Sequence, residues 1–531
     1  MNGPQFLADD TADRTLLANV HPAEWDNPDS DERYNLVVVG GGTAGLITAA
    51  VAASLGARTA LIERGFLGGD CLNVGCVPSK ALIRGARAAT ELAWVRAEGL
   101  ADAALVGNND FGTAIDFGAV MKRMRRIRAA ISDHDSARRY VEEFGVDVYI
   151  GTGRFVRRDR IIVTGDDRTT RELFFRRAVI ATGARAAAPP IAGLPDVDYL
   201  TNETLFTLSE LPERLAIIGA GPIGCEMAQS FARLGTEVEL FEIAPRVLPR
   251  EDPAVSEVIH RALENASVRV HTGVAVERIE SVPGSTDRSF GRIRFRAATD
   301  GEIDPSAPGA PFTTKPARVL VAIGRAPNID DMGLEAAGVA VHRRGVTVNA
   351  YLQTTNRRIY AVGDVAIPYQ FTHMAEQSAT IAVQNALFFR TKKLLVDAVP
   401  WCTYTSPEVA RVGLSEEEAR TAGRTVRVFT HPMSAVDRAR LDGDTEGFVK
   451  LVLDPNGRIL GATIVAAHAG EMIGEIVLAM QNGLRVGALS AVVHPYPTQA
   501  EAIKRAAAGF LKQKLTPRVK AMMGWWFRRR R

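Results

Sequence analysis

One fingerprint occurs twice in this chain, and few folds can accommodate it. Residues 36–63 read LVVVGGGTAGLITAAVAASLGARTALIE, and residues 215–242 read LAIIGAGPIGCEMAQSFARLGTEVELFE. Each runs from an apolar strand through a GxGxxG turn into an apolar-periodic helix, then Leu-Gly and a second strand ending in Glu. The interval from first glycine to acid is 23 residues in both copies. A single glycine turn is weak evidence. Two copies, each between strand and helix and each closed by an acid, predict two dinucleotide sites in an α/β chain. Gly40 and Gly219 take the tight turn, Gly42 and Gly221 let a pyrophosphate approach the backbone, and Gly45 and Gly224 let helix and strand pack closely. The helix start adds unpaired N–H groups and a partial positive charge. Glu63 and Glu242 can accept hydrogen bonds from ribose hydroxyls. A carboxylate at Glu242 repels a 2′-phosphate, and the next basic residue is Arg246, so NADH is favoured over NADPH at the second site.

The rest of the composition narrows the class. A length of 531 residues allows about three domains. Hydrophobic content of 46% and charged content of 24% fit a globular chain with a large core. Four cysteines exclude a secreted disulfide framework, and with no CxxC pair no metal site is expected. Cys225 and Cys402 stand alone and read as buried thiols. Leu36 to Ala57 is uncharged for 22 residues, but its glycines and its switch from valine to alanine mark strand, turn and helix rather than a membrane span. Residues 1–33 carry eight acids and no apolar signal core, so a cytoplasmic location is expected. This acidic extension reads as a disordered or surface-draped lead-in, or as a cap over a partner subunit. Net charge is +3, yet residues 504–531 hold ten Lys or Arg and no acid, which leaves −7 for the remainder. Basic charge confined to one terminus argues against nucleic-acid binding.

Residues 68–80, GGDCLNVGCVPSK, hold two of the four cysteines. A thiol pair built for exchange needs one exposed sulfur, one shielded sulfur and a device that lowers a thiol pKa. Gly68 and Gly69 give the backbone room beside a flat ring. Cys71 and Cys76 lie just over one helical turn apart, so a strained local disulfide is sterically open. A helix following Cys71 would aim its positive end at the sulfurs, and Lys80, four residues past Cys76, adds a cation on the same face. The alternative is two buried cysteines in an N-terminal helix. The first dinucleotide site adjoins this segment, so a flavin is expected there, because a flavin can take a hydride and then react with a disulfide.

GGDCLNVGCVPSK resembles the redox segment of the class I pyridine nucleotide–disulfide oxidoreductases. The likeness extends over roughly residues 34–512. IATGA (180–184) resembles the strand closing the first FAD section, with Thr182 and Gly183. AIGRAPN (322–328), with Gly324, resembles the link back from the NAD domain. TTNRRIYAVGDVA (354–366) resembles the second FAD stretch, where Gly363 precedes Asp364, the residue implied to bind the ribityl chain. YTSPEVARVGLSEEEA (404–419) resembles the start of a dimer-interface domain. The resemblance implies two Rossmann-like domains, for FAD and NAD(P), and a C-terminal α+β dimerisation domain. The implied limits are 34–198 with 325–396 for FAD, 199–324 for NAD(P), 397–515 for the interface and 516–531 for a basic aromatic tail. It implies Gly40, Gly42, Gly45, Glu63, Gly69 and Lys80 at FAD, and Gly219, Gly221, Gly224, Glu242 and Gly324 at NAD(P). Cys76 is then the thiol that touches the flavin, Cys71 the outward thiol, and Lys80 the partner of Glu226. A homodimer follows, because the interface tail reaches the partner's site.

The departures bear on the acceptor. Disulfide-reducing members carry His-Pro-Thr followed by Glu near the C-terminus. Here the stretch is HPYPTQAE (494–501), which aligns Tyr496 with that histidine and Glu501 with its partner. Tyrosine titrates near pH 10 and histidine near 6.5, so Tyr496 is a poor proton shuttle at neutral pH. Tyrosine there resembles the mercuric reductase branch, whose acceptor is a soft metal ion. His494 serves as acid–base if the loop shifts register, and otherwise orients the loop. The terminal vicinal cysteines usual in that branch are absent, since this chain ends GWWFRRRR. Dihydrolipoamide dehydrogenase and a membrane-docked flavoprotein reducing a protein or quinone are the alternatives. Pro517 is expected to end the preceding helix. Met522, Met523, Trp525, Trp526 and Phe527 beside four arginines suit an anionic bilayer surface, or packing against the dimer.

Overall fold

The computed structural model describes residues 6–7, 10–29, 32–100, 115–282, 287–299, 302–303 and 312–531. The strand Tyr34–Val39 lies mid-sheet, flanked in parallel by Thr59–Glu63 and Thr170–Ile180. Leu36, Val37 and Val38 are completely buried, as a central parallel strand requires. Asp147–Ile150 extends the sheet on one side, and Ile359–Ala361 pairs with Thr170–Ile180 on the other. The last strand lies about 180 residues after its neighbour in sequence, so the chain leaves this sheet and returns to it.

Between those two passages the second copy builds its own parallel sheet, in the order Arg269–Thr272, Glu237–Glu242, Arg214–Ile218, Arg318–Val321. Both copies fold as expected: Thr43–Ser54 and Pro222–Arg233 are helices that start directly after Gly42 and Gly221. The C-terminal part is a five-stranded antiparallel sheet, ordered Pro400–Thr403, Glu408–Gly413, Ile459–Ala466, Phe448–Leu453, Arg427–Pro432. Helices Ala469–Gln481 and Glu501–Lys512 pack against it around Val449, Ile464, Ile476 and Ile503.

The two ends differ from expectation. The described part of the acidic lead-in is ordered and packed: Thr11–Val20 is a helix, N-capped by the Asp10 carboxylate, with Leu16 and Val20 completely buried. The rest of the expectation falls partly on residues 1–5, 8–9 and 30–31, outside the described residues. Counting acids missed this, because Asp13 is itself buried 2.6 Å from Arg128 Nη2 while Leu16 and Val20 recur at helical spacing. At the other end the preceding helix stops at Lys512, and Pro517 opens a new one, Pro517–Arg528, capped by Thr516. Proline fits the first helical turn, where its missing N–H would be unpaired anyway. Among the described residues no helix is long and apolar enough to cross a membrane.

Candidate active site

The two glycine turns are nearly superimposable in their chemistry. Gly40 and Gly219 have φ of +106° and +103°, in the region that favours glycine. A Cβ on Gly45 would stand 1.7 Å from the Gly40 carbonyl oxygen, and one on Gly224 would stand 1.9 Å from that of Gly219. The third glycine is therefore required by the turn it packs against. Around Gly221 a Cβ would meet nothing within 4 Å, so that backbone faces open cleft. Glu63 accepts from the backbone N–H of Gly41 and, at 2.6 Å, of Gly65. Glu242 repeats this with Ala220 at 2.7 Å and Ala244 at 2.9 Å. Burial raises the Glu63 pKa against these backbone bonds.

The redox segment lies directly on the first turn. Gly68 N–H donates to the Gly41 carbonyl at 2.9 Å, and a Cβ on Gly69 (φ +57°) would come within 2.7 Å of Gly42 Cα. Cys71 lies in the short helix Gly69–Asn73, and Cys76 is the first residue of the helix Cys76–Ala97. A single helix after Cys71 was expected; instead the break at Val74–Gly75 puts the positive end of a 22-residue helix at Cys76 itself. Both residues are free thiols, Cys71 half-buried and Cys76 exposed on the cleft wall. A hydrogen bond from Cys71 lowers the Cys76 pKa to about 6, with Thr372 and Lys80 assisting against burial and the Glu226 charge. The same bond, then burial, pushes the Cys71 thiol up. The arrangement therefore favours ionisation of one sulfur with its neighbour as the hydrogen-bond donor.

Other residues complete the wall. Lys80 Nζ lies 3.0 Å from Glu226 Oε2 and 4.4 Å from the Tyr404 ring centroid. The other Glu226 oxygen accepts from Tyr404 N–H at 2.9 Å, so the nearly fully buried carboxylate is paired on both sides. Thr372 Oγ1 lies 3.4 Å from Cys76 Sγ. Arg325 pairs with Asp70 beside the cysteines and with Asp364 at 3.6 Å. Burial raises the Asp364 pKa to about 6, with Arg325 opposing. Thr182 Oγ1 donates to the Asn328 carbonyl at 2.7 Å, next to Gly183 (φ +65°). Gly324 and Gly363 also have positive φ, +124° and +66°, and both line the cleft.

These groups share one cleft of about 2660 Å³, running from Glu63 past Cys71, Cys76 and Lys80 to Glu242. That space is large enough for two dinucleotides, and its lining includes both glycine turns and both cysteines. The paired glycine turns, the carboxylates of Glu63 and Glu242 and the half-buried Asp364 offer donors and acceptors of the kind such groups need.

The C-terminal stretch lies elsewhere in the protomer. Tyr496, His494 and Glu501 do not line the cleft. Tyr496 is 72% exposed, and its hydroxyl donates to Asp437 at 3.1 Å rather than to Glu501. Glu501 pairs with Arg505 at 2.7 Å, one turn along its own helix. His494 Nε2 lies 2.9 Å from Glu475, and among the described residues its buried Nδ1 has no hydrogen-bond partner. Sequence reasoning missed Asp437 and Glu475, along with Thr372, Tyr404 and the Asp70–Arg325 pair. The last had a signal, since Arg325 sits in the quoted AIGRAPN stretch. Among the described residues no group of three or more His, Cys, Asp or Glu could hold a metal ion.

Comparison with known proteins agrees with this geometry. Residues 34–386 match the pyridine nucleotide-disulphide oxidoreductase family, and residues 399–507 match that family's dimerisation domain. The chain is therefore a member of the class I pyridine nucleotide–disulfide oxidoreductases, an NAD(P)H-dependent flavoprotein enzyme that uses FAD. Within that class it is 35% identical over 488 residues to a mercuric reductase of Bacillus cereus, covering 92% of this chain and 73% of that protein. It is 33% identical over 488 residues to a dihydrolipoyl dehydrogenase of Bacillus subtilis, covering 89% and 97%. The HOCl-induced flavoprotein disulfide reductase RclA of Escherichia coli superposes with a TM-score of 0.75 at 29% identity, covering 90% of this chain and 99% of that one. The dimerisation domain supports a homodimer.

Proposed function

We propose that the chain oxidises NADH and passes the electron pair through Cys71 and Cys76 to a thiophilic acceptor, a soft metal ion before a disulfide. In this reading residues 34–198 and 325–396 hold FAD, 199–324 hold the nicotinamide nucleotide and 397–515 form the subunit interface. FAD, when bound, supplies hydride acceptance from NADH and two-electron delivery to sulfur. The residues do the rest. The Cys71 hydrogen bond, with the helix start and Lys80 assisting, favours Cys76 as thiolate, Glu226 fixes Lys80, Asp364 receives ribityl hydroxyls, and Cys71 faces the acceptor. Glu242 disfavours a 2′-phosphate, and Arg246, the nearest candidate to bind one, instead donates to the Pro249 carbonyl at 3.2 Å. That supports NADH over NADPH.

The observation that favours a metal acceptor is Tyr496. Its hydrogen bond to Asp437 raises the phenol pKa further, which makes it a weaker acid toward a departing thiolate than a histidine would be. With Hg(II), the balance is NADH + Hg(II) → NAD⁺ + H⁺ + Hg(0), and no leaving thiol needs a proton. A second reading, lipoamide-type disulfide exchange, is favoured by the His494–Glu475 pair, an acid–base couple two residues before Tyr496. The two separate in steady-state assays with NADH or NADPH against Hg(II), Cu(II), lipoamide, glutathione disulfide and a quinone. Hg(II)-dependent NADH oxidation should exceed lipoamide turnover by about tenfold or more. Faster lipoamide turnover rejects the metal reading, and activity restricted to quinone rejects both.

We also propose that the tail meets an anionic membrane surface. On the helix Pro517–Arg528, Val519, Met522, Met523 and Trp526 recur at i, i+3, i+4 and i+7, and no residue of it is buried. Arg529 and Arg530 stand over the rings of Trp525 and Trp526 at 4.3 and 4.4 Å. Each basic residue near such a surface contributes about 1 kcal/mol, and aromatic rings favour the headgroup layer. The full chain should sediment with anionic vesicles at low salt, and removal of residues 517–531 should abolish this. Equal binding to neutral vesicles, or unchanged sedimentation after truncation, rejects the proposal.

A further inference from the structure

We propose that the N-terminal helix Thr11–Val20 and the following His21 position the redox pair, gripping the loop that carries Cys71 and Cys76 at three points. This rests on the reading that the two sulfurs cycle between dithiol and disulfide.

The three contacts are separate. His21 Nδ1 meets the Gly65 carbonyl at 2.5 Å, at the start of the loop. Leu67 N–H donates to the Val20 carbonyl at 3.0 Å. Arg128 bridges the third: Nη2 donates to Asp13 at 2.6 Å, and Nη1 to the Asn73 carbonyl at 2.8 Å, between the cysteines. The Asn73 side chain ties the loop to itself, donating to the carbonyls of Leu67 and Gly69 at 2.9 Å each. Asp13 and Arg128 are each 1% exposed. The second Asp13 oxygen accepts from Leu7 N–H at 3.0 Å, and the Phe6 ring lies 4.9 Å from the Arg128 guanidinium and edge-on to Phe66 at 4.8 Å.

A buried ion pair holds its geometry because misplacing either charge leaves the other unpaired. This relay therefore transmits the position of the N-terminal helix to the backbone between the sulfurs. The family match begins at residue 34, so the helix Thr11–Val20 and His21 lie outside it, while Arg128 lies within it. Its effect is on the effective concentration of one sulfur at the other. A loop pinned at residues 65, 67 and 73 keeps the pair at bonding range; a loosened loop makes the disulfide easier to reduce.

The test equilibrates the FAD-loaded full chain in reduced and oxidised dithiothreitol, then traps and counts free Cys71 and Cys76 by alkylation. In that exchange the protein disulfide takes two electrons and two protons from dithiothreitol, which closes its own ring. Asp13→Asn should move the half-oxidation ratio toward dithiol by about fivefold or more, and His21→Ala by about threefold in the same direction. Ile476→Ala, buried where the helix Ala469–Gln481 packs on the C-terminal sheet, controls for general loss of stability and should stay within about twofold of the parent. Both N-terminal variants remaining within twofold, or the control moving equally, overturns the proposal. If Asp13→Asn does not fold, His21→Ala decides alone. A parent chain that forms no Cys71–Cys76 disulfide at any ratio overturns the functional reading instead.

Discussion

Cys76→Ser should abolish NADH-dependent turnover, by roughly 10³-fold or more, with FAD still bound. Cys71→Ser should lose turnover to a similar degree yet keep a thiolate beside the flavin. The two variants differ in spectrum. Cys76 is the thiolate at the helix start, so its substitution removes the long-wavelength charge-transfer absorbance, whereas Cys71→Ser should show that band before any reductant is added. The pH dependence follows from the lowered Cys76 pKa of about 6. Since the value is depressed, the thiolate is present above it, and in the reduced protein the band should fade as pH falls through that point. Cys71→Ala removes the hydrogen-bond donor that contributes most to the depression. The midpoint should then climb toward the ordinary thiol value of about 8.5, while Cys71→Ser, which keeps an O–H donor, should shift it less. An unchanged midpoint in Cys71→Ala would contradict the assigned cause.

The twin glycine turns give the second large effect. Gly224→Ala places a Cβ 1.9 Å from the Gly219 carbonyl oxygen, and Gly45→Ala places one 1.7 Å from that of Gly40. Neither backbone oxygen can yield without opening its turn, a distortion of about 1–3 kcal/mol or more. Gly224→Ala should weaken NADH binding by about tenfold or more and leave FAD content intact. Gly45→Ala should purify depleted of FAD while fluorescence quenching still reports NADH binding. Loss of FAD from Gly224→Ala would show that the two turns do not serve separate nucleotides.

Much of this was legible in the residues. The repeat fixed both parallel sheets, because strand, turn, helix and strand are encoded within 28 contiguous positions each time. The cysteine spacing and Lys80 were visible for the same reason: one helix carries them. What stayed hidden lies far apart in sequence. Thr372 is 296 residues from Cys76, and Tyr404 is 178 from Glu226. No local pattern records such a pairing. The N-terminal helix was concealed differently, since its acids suggested solvation while Asp13 was committed to Arg128. At the C-terminus, alignment paired Tyr496 with Glu501, but helix geometry gives Glu501 to Arg505 and leaves Tyr496 to Asp437.

In the proposed mechanism electrons from NADH come to rest on the Cys71–Cys76 sulfurs before leaving the protein. Anaerobic titration of the FAD-loaded chain with NADH, with alkylation of free thiols at each step, tests it most directly. The first equivalent should leave most flavin absorbance in place, raise the long-wavelength band and expose two new thiols at Cys71 and Cys76. Complete bleaching of the flavin by that first equivalent, with no thiol gained, would show that the electrons stop at the flavin and would refute the mechanism.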